Sequence, residues 1–160
     1  MSEESNIFQA HDHAHCAKGV LARVQVMVLK NKLRLTPVRL RTLQILLESH
    51  HAMGAYEVLE RLVAEGFGNQ PPVAYRALEY LVEQGLAHKI RRLNAFAACM
   101  HPDIDHAPAF LICKSCDKVA ETMGSVFEQA LDKAAKSHGF AIERSNIEAL
   151  GQCGACQGDA

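Results

Sequence analysis

Two short thiol pairs, Cys113-Lys114-Ser115-Cys116 and Cys153-Gly154-Ala155-Cys156, constrain this chain more than any other feature of its sequence. Zinc favours a tetrahedron of thiolates, and each CxxC turn sets two sulfurs close enough to share one ion. The 36 residues between the pairs exceed the ~15–20 of a simple zinc ribbon, so the ion must staple a strand end to a distant part of the chain. Four thiolates leave no position open for water or substrate, which makes the site structural. Apparent binding free energies of ~10–16 kcal/mol make folding of such a unit depend on the metal. A dithiol redox pair is the competing reading, and two matched pairs bracketing one unit fit it poorly.

The compartment supports metal over disulfide. No run of about 18 apolar residues is present to span a bilayer. The acidic, His-rich start (Glu3, Glu4, His11 to His15) is the opposite of a basic export signal. The expectation is a cytoplasmic protein with no membrane partner, where six cysteines point to metal or redox chemistry rather than a disulfide framework.

A net charge of −1 conceals an uneven distribution. Residues 18–92 carry twelve Lys and Arg against six Asp and Glu, a charge of +6, flanked by −3 before and −4 after. A positive segment followed by an acidic one fits two modules, the first able to approach a polyanion such as DNA.

Helical signals fill that positive segment. An apolar-periodic stretch runs from about Ala17 to Lys32. Thr36 and Pro37 read as an N-cap and first helical residue, opening a helix to about Glu48. A third helix covers Ala55 to Glu65, with Gly66 as its stop. The fourth covers Val73 to Gln84, entered through Pro71 and Pro72; Ala74, Ala77, Leu78, Leu81 and Val82 line its core face, while Tyr75 and Arg76 point away. Leu86–Leu93 and Ala95–Cys99 read as two strands around Asn94. Helices followed by a two-stranded ribbon make a winged helix-turn-helix.

The expected fold class is α+β: an N-terminal winged helix-turn-helix followed by a small α+β domain holding the four-cysteine zinc site. The expected divisions are a His-rich tail at 1–16, a DNA-binding domain at 17–100, a linker at 101–108 (HPDIDHAP) and a second domain at 109–157. Within the last, strands are expected at 109–112, 118–122 and 140–150, with a helix from Met123 to His138.

Near the linker lie five more candidate ligands: His88, Cys99, His101, His106 and Glu121. Each alone has an ordinary explanation, as a hydrogen-bonded histidine or a small core cysteine. Their distribution is the informative part, since His88 and Cys99 belong to the first module, His106 to the linker and Glu121 to the second. A metal gathered by those four would fix the two halves relative to each other, and a mixed imidazole, thiolate and carboxylate set suits zinc better than magnesium, calcium or manganese. His101 stands as a possible extra ligand. The stretch HDHAHC (His11 to Cys16) fits either an additional zinc-binding arm or a disordered tail, and the tail is the expectation.

The stretches RLTPVRLRTLQIL (34–46), GAYEVLERL (54–62), PPVAYRALEYLVEQGLAHKI (71–90), FLICKSCDKVAE (110–121) and GFAIERSNIEALGQCGAC (139–156) together resemble the ferric uptake regulator family, most closely its zinc-uptake branch. The resemblance covers roughly residues 17–157. It implies a zinc-responsive repressor of zinc-uptake genes that binds palindromic, double-stranded operator DNA as a homodimer, with 109–157 as the dimerisation domain, two zinc ions per subunit and no small-molecule substrate. It also implies that His88, Cys99, His106 and Glu121 are the regulatory ligands. Iron-type members carry an HHDH stretch before the first CxxC, where this chain has DIDHAPAF, and they generally lack a counterpart of Cys99. By motif match Tyr56 and Arg76 read bases, through guanine O6 and N7 for the arginine, and Tyr75 contacts a base or the backbone. Where the family usually has Thr-Val-Tyr-Arg, this chain has Val73, Ala74, Tyr75 and Arg76; loss of the hydroxyl would cost about 1 kcal/mol if it acted as a cap.

A family member sensing iron, manganese or peroxide is the first alternative, and a non-regulatory zinc-storage or thiol-redox protein is the second. No Ser/His/Asp arrangement, nucleotide loop or HExxH signature points to an enzyme.

Overall fold

The computed structural model describes residues 7–158. Four helices come first: α1 (His13–Asn31), α2 (Pro37–Leu46), α3 (Ala55–Ala64) and α4 (Pro71–Glu83). Helix α1 opens four residues before the expected Ala17 because Asp12 is its N-cap, its carboxylate accepting the Ala14 and His15 N–H groups at 3.1 and 3.3 Å. His13 to Cys16 are thus helical rather than tail, while residues 1–6 of the expected tail lie outside the described residues. The helix ends at Lys32, whose left-handed backbone (φ 51°) turns its N–H back to the Val28 carbonyl.

Thr36 and Pro37 occupy the expected positions at the start of α2, although the Thr36 side chain makes no cap bond. At α3 the Glu57 carboxylate accepts the Gly54 N–H at 2.7 Å. Val24, Leu43, Ile45, Leu46, Val58, Leu62, Leu78 and Leu81 are buried together, one or more from every helix. This shared core fixes α4 with Tyr75 and Arg76 outward.

Strands β1 (Ala87–Ile90) and β2 (Ala95–Ala98) pair antiparallel, Ala87 opposite Ala98 and Ile90 opposite Ala95. They are shorter than the sequence pattern indicated because Arg91 to Asn94 are spent on the turn, with Asn94 at φ 46°.

The second half contains β3 (Pro108–Cys113), β4 (Val119–Met123), α5 (Ser125–Ser137), β5 (Ile147–Gly151) and the single turn α6 (Gly154–Gln157). Its sheet has the order β4-β3-β5, with β3 antiparallel to β4 and parallel to β5. The expected strand at 140–150 is confined to 147–151. A parallel partner requires the chain to travel back along the sheet first, and the residues after α5 are used for that return. The molecule is therefore α+β, a winged helix-turn-helix followed by a small mixed unit.

The halves meet along a continuous seam. Ile90 of the ribbon is buried with Phe110, Ile112 and Val119 of the second sheet. His51 forms a β-bridge with Lys118, and the Val119 N–H reaches the His50 carbonyl at 2.9 Å. Arg91 and Arg92 donate their backbone N–H groups to the two Glu148 oxygens at 2.6 and 2.9 Å, which docks the ribbon turn on β5.

Helix α5 buries none of its residues. Its apolar stripe leaves Val126 73%, Phe127 47% and Leu131 39% exposed, beside Phe140 at 65%.

Candidate metal centres and nucleic-acid surface

The parallel pairing of β3 and β5 explains how distant cysteines meet. Parallel strands finish at the same edge of a sheet, and Cys113 lies opposite Gly151 in register, so the end of β5 delivers Cys153 and Cys156 to the turn that carries Cys113 and Cys116. One sulfur from each of the four lies within 4.8 Å of the others. Doubling a loop adds only ~0.6 kcal/mol of closure entropy, small beside the ~10–16 kcal/mol of a structural zinc, so the wide spacing is no obstacle. Backbone N–H groups prepare the pocket for negative sulfur: the Cys153 N–H donates to Cys113 Sγ at 3.3 Å and, with help from the Cys116 and Ser115 amides, draws that thiol down to about 6. The Cys156 thiol, sharing its proton with Cys153 and crowded by the other sulfurs, is pushed up to about 12. Four sulfurs that cannot all ionise unaided are a donor set that a dication satisfies.

The second group is built at the seam. His88 comes from β1, Cys99 directly follows β2, His106 precedes β3, and Glu121 lies on β4. Their ligand atoms also fall within 4.8 Å of one another. Glu121 is the hub: its Oε1 contacts His106 Nε2, lies 3.1 Å from His88 Nε2 and 3.6 Å from Cys99 Sγ, while its Oε2 accepts the Met100 N–H at 2.9 Å. Burial raises the Glu121 carboxyl, but bonds to His106 and His88 hold it well below the usual carboxylate range. The same carboxylate lifts His106 to about 9. Burial and the Glu121 charge push the Cys99 thiol far above its ordinary value. His106 Nδ1 donates to the Ile104 carbonyl at 2.7 Å, which orients Nε2 inward. A buried carboxylate, a buried thiol and two imidazoles aimed at one point fit a borderline-soft dication better than a hydrogen-bond network.

Gly124 follows β4 at the back of this group. A Cβ there would collide with the Ala107 carbonyl oxygen, so only glycine lets the linker pass close enough to set His106 against Glu121. His101 is not gathered with the four; its ring stands edge-on to His106 at 6.4 Å between centroids.

On the outer surface Tyr56 of α3 and Tyr75 of α4 stack edge to face at 6.4 Å, both exposed, next to exposed Arg76. An aromatic pair and a guanidinium on one free face match a base-contacting surface in composition. Val73 stands at the third helical position of α4, with Gln70 at the N-cap. A threonine here would not be the cap residue, so the cap cost attached to its loss does not apply.

A third group of ligand atoms was only half visible in the sequence: His11, His13 and Cys16 are joined by His50. Nothing in a one-dimensional pattern ties His50, beyond the end of α2, to HDHAHC.

The chain matches the ferric uptake regulator family over residues 30–150. It is 34% identical over 138 residues to the zinc uptake regulation protein of Escherichia coli (strain K12), covering 86% of this chain and 81% of that protein. Among solved structures it is similar to a zinc uptake regulator complexed with zinc and DNA, with a TM-score of 0.83 and 33% identity over 89% of this chain and 96% of the other. Its TM-score is 0.79 to holo XcZur but 0.52 to apo XcZur, each at 33% identity over 89% of this chain and 99% of that one. The conformation described above is thus the one that resembles the holo form.

Proposed function

This chain belongs to the ferric uptake regulator family, and on that footing we propose that it is a zinc-responsive transcriptional repressor of zinc-uptake genes. It is a regulator rather than an enzyme. The observation that carries the reading is the provenance of the second ligand group: His88, Cys99, His106 and Glu121 come from the ribbon, the segment leaving it, the linker and the second sheet. One ion held by all four stabilises the joined arrangement over any in which the halves separate. A ligand shifts a conformational equilibrium only by such differential binding.

The protein acts as a homodimer. The exposed stripe of Val126, Phe127 and Leu131 supports burial of α5 against its symmetry mate. A two-fold dimer presents two α4 helices to a palindromic, double-stranded operator, with half-sites about 34 Å or a multiple apart. Arg76 and Tyr56 read bases and Tyr75 supports them. Each subunit carries zinc at Cys113, Cys116, Cys153 and Cys156 for structure and at His88, Cys99, His106 and Glu121 for regulation, with His101 outside the ligand set. Residues 17–100 act as the DNA-binding domain, 101–108 as the linker and 109–157 as the dimerisation domain, in the cytoplasm where the operator is. The Cys99 thiolate favours zinc over iron or manganese.

The test is binding to this chain's own upstream promoter DNA, titrated with buffered zinc, iron and manganese while bound metal is counted in parallel. Tight binding that appears only with zinc is expected. Equal binding without metal, or a response to iron or manganese instead, would sink the reading.

A further inference from the structure

At the start of α1, His11 and His13 converge on His50. His11 Nε2 lies 2.9 Å and His13 Nδ1 3.1 Å from the same atom, His50 Nε2. Carbonyls fix the tautomers of the first two rings. His11 Nδ1 donates to the Gln9 carbonyl at 3.0 Å, and His13 Nε2 donates to the Leu47 carbonyl at 2.7 Å. Each neutral imidazole has one N–H, so both nitrogens that face His50 present lone pairs. His50 Nε2 can satisfy one of them with a proton, never both. At least one lone pair is therefore left facing the cluster without a proton to accept, and all three converge when His50 Nε2 carries none, an arrangement that a cation relieves and that hydrogen bonding among these rings cannot.

Cys16, one helical turn after His13, completes the group: one ligand atom from each of the four residues lies within 4.8 Å of the others. The first turn of α1 is preformed by the Asp12 cap, so His13 and Cys16 are held on one side of a helix before any metal arrives.

We infer that His11, His13, Cys16 and His50 form a third metal site, a tetrahedral three-imidazole, one-thiolate centre for a borderline-soft dication such as zinc. It is separate from both centres described above and independent of the repressor reading. All four residues are partly exposed, so the ion exchanges with solvent more readily than one enclosed by four thiolates. Its effect is local and mechanical: it ties the first turn of α1 to the 47–51 corner. That corner is joined to the second half by the His50 carbonyl, the His51–Lys118 bridge and the His51 ring, 3.0 Å from the Cys116 carbonyl.

The test counts metal on the full-length protein equilibrated with buffered zinc, using inductively coupled plasma mass spectrometry, for wild type, Cys16→Ser, His50→Ala and Cys99→Ser. Wild type is expected to bind one more zinc per subunit than either Cys16→Ser or His50→Ala, with unchanged far-ultraviolet dichroism. Cobalt substituted into wild type is expected to show more thiolate charge-transfer absorption than into Cys16→Ser. Cys99→Ser loses a different ion, so its double variant with Cys16→Ser falls two below wild type. Wild-type zinc content in Cys16→Ser overturns the proposal, as does equal cobalt absorption in the two proteins, whatever either does to operator binding. Because serine nearly matches cysteine in size, the Cys16→Ser measurement stands even if His50→Ala misfolds.

Discussion

The Glu148 carboxylate holds the ribbon turn by its backbone, accepting the Arg91 N–H at 2.6 Å and the Arg92 N–H at 2.9 Å. Asn146 steadies the same carboxylate at 2.7 Å. This clasp joins the ribbon to the second sheet, so its energy would add to that of an ion held by His88, Cys99, His106 and Glu121. Hydrogen bonds to a charged acceptor contribute ~1.5–3 kcal/mol, reduced here because the group is partly exposed. Glu148→Ala is expected to weaken promoter binding at saturating zinc about tenfold while leaving the four-cysteine zinc in place. Fluorescence anisotropy measures this, and undiminished affinity would show that the clasp adds nothing to the DNA-binding form.

Cys99→Ser removes one ligand of the seam and leaves α5 untouched. Changes in outer-shell partners of a metal cost ~10–100-fold in affinity, so loss of a ligand should cost at least about a hundredfold. The variant is expected to remain dimeric, to hold one fewer zinc and to lose zinc-dependent promoter binding. Repression with wild-type zinc sensitivity would rule out the seam as the sensor.

Cys113→Ser acts on the fold itself. Cys113 is the last residue of β3 and also takes the Cys153 N–H, so its loss frees the end of β5 as well as one sulfur. The expected result, read by sedimentation and zinc content, is an unfolded second half or a monomer. A stable, zinc-free dimer would contradict a structural role.

Phe127→Ala tests the apolar stripe of α5. Burying a phenylalanine stabilises by ~1.5–3 kcal/mol, and two-fold symmetry counts it twice, so dissociation should become at least about a hundredfold easier. Sedimentation equilibrium with zinc present provides the readout; an unchanged dimer would mean that another face associates.

Arg76→Ala should leave metal content and dimerisation alone. A bidentate guanine contact discriminates by ~1–3 kcal/mol, and a two-fold dimer makes it in both half-sites, so promoter affinity is expected to fall at least about thirtyfold. The preference over scrambled DNA should shrink with it. If specific and nonspecific DNA weaken equally, Arg76 contacts phosphate rather than a base.

The sequence was most legible where chemistry and spacing coincide. The CxxC pairs, Pro37 and the stripes of α3 and α4 each announce a local geometry, and the second ligand group could be assembled from donor types on either side of a linker. What stayed hidden depended on tertiary proximity. His50 belongs to the first turn of α1 only because the Asp12 cap and the end of α2 bring them together. The strand expected from residue 140 begins at 147 because the need for a crossover is set by strand order, which periodicity does not report. Gly124 looks like a simple break between strand and helix, yet its lack of a Cβ admits the linker.

The parallel pairing of β3 and β5 also has a consequence during synthesis. Strand β3, ending at Cys113, and the turn carrying Cys116 are translated first, and the partner strand follows only after the whole of α5 and its return. Until then Cys113 and Cys116 form an incomplete metal chelate on a sheet with an open edge. If the four cysteines hold zinc as proposed, its capture would report that everything from residue 113 to residue 156 has been made and has docked, and a nascent chain stalled within that interval would have no means of closing the site.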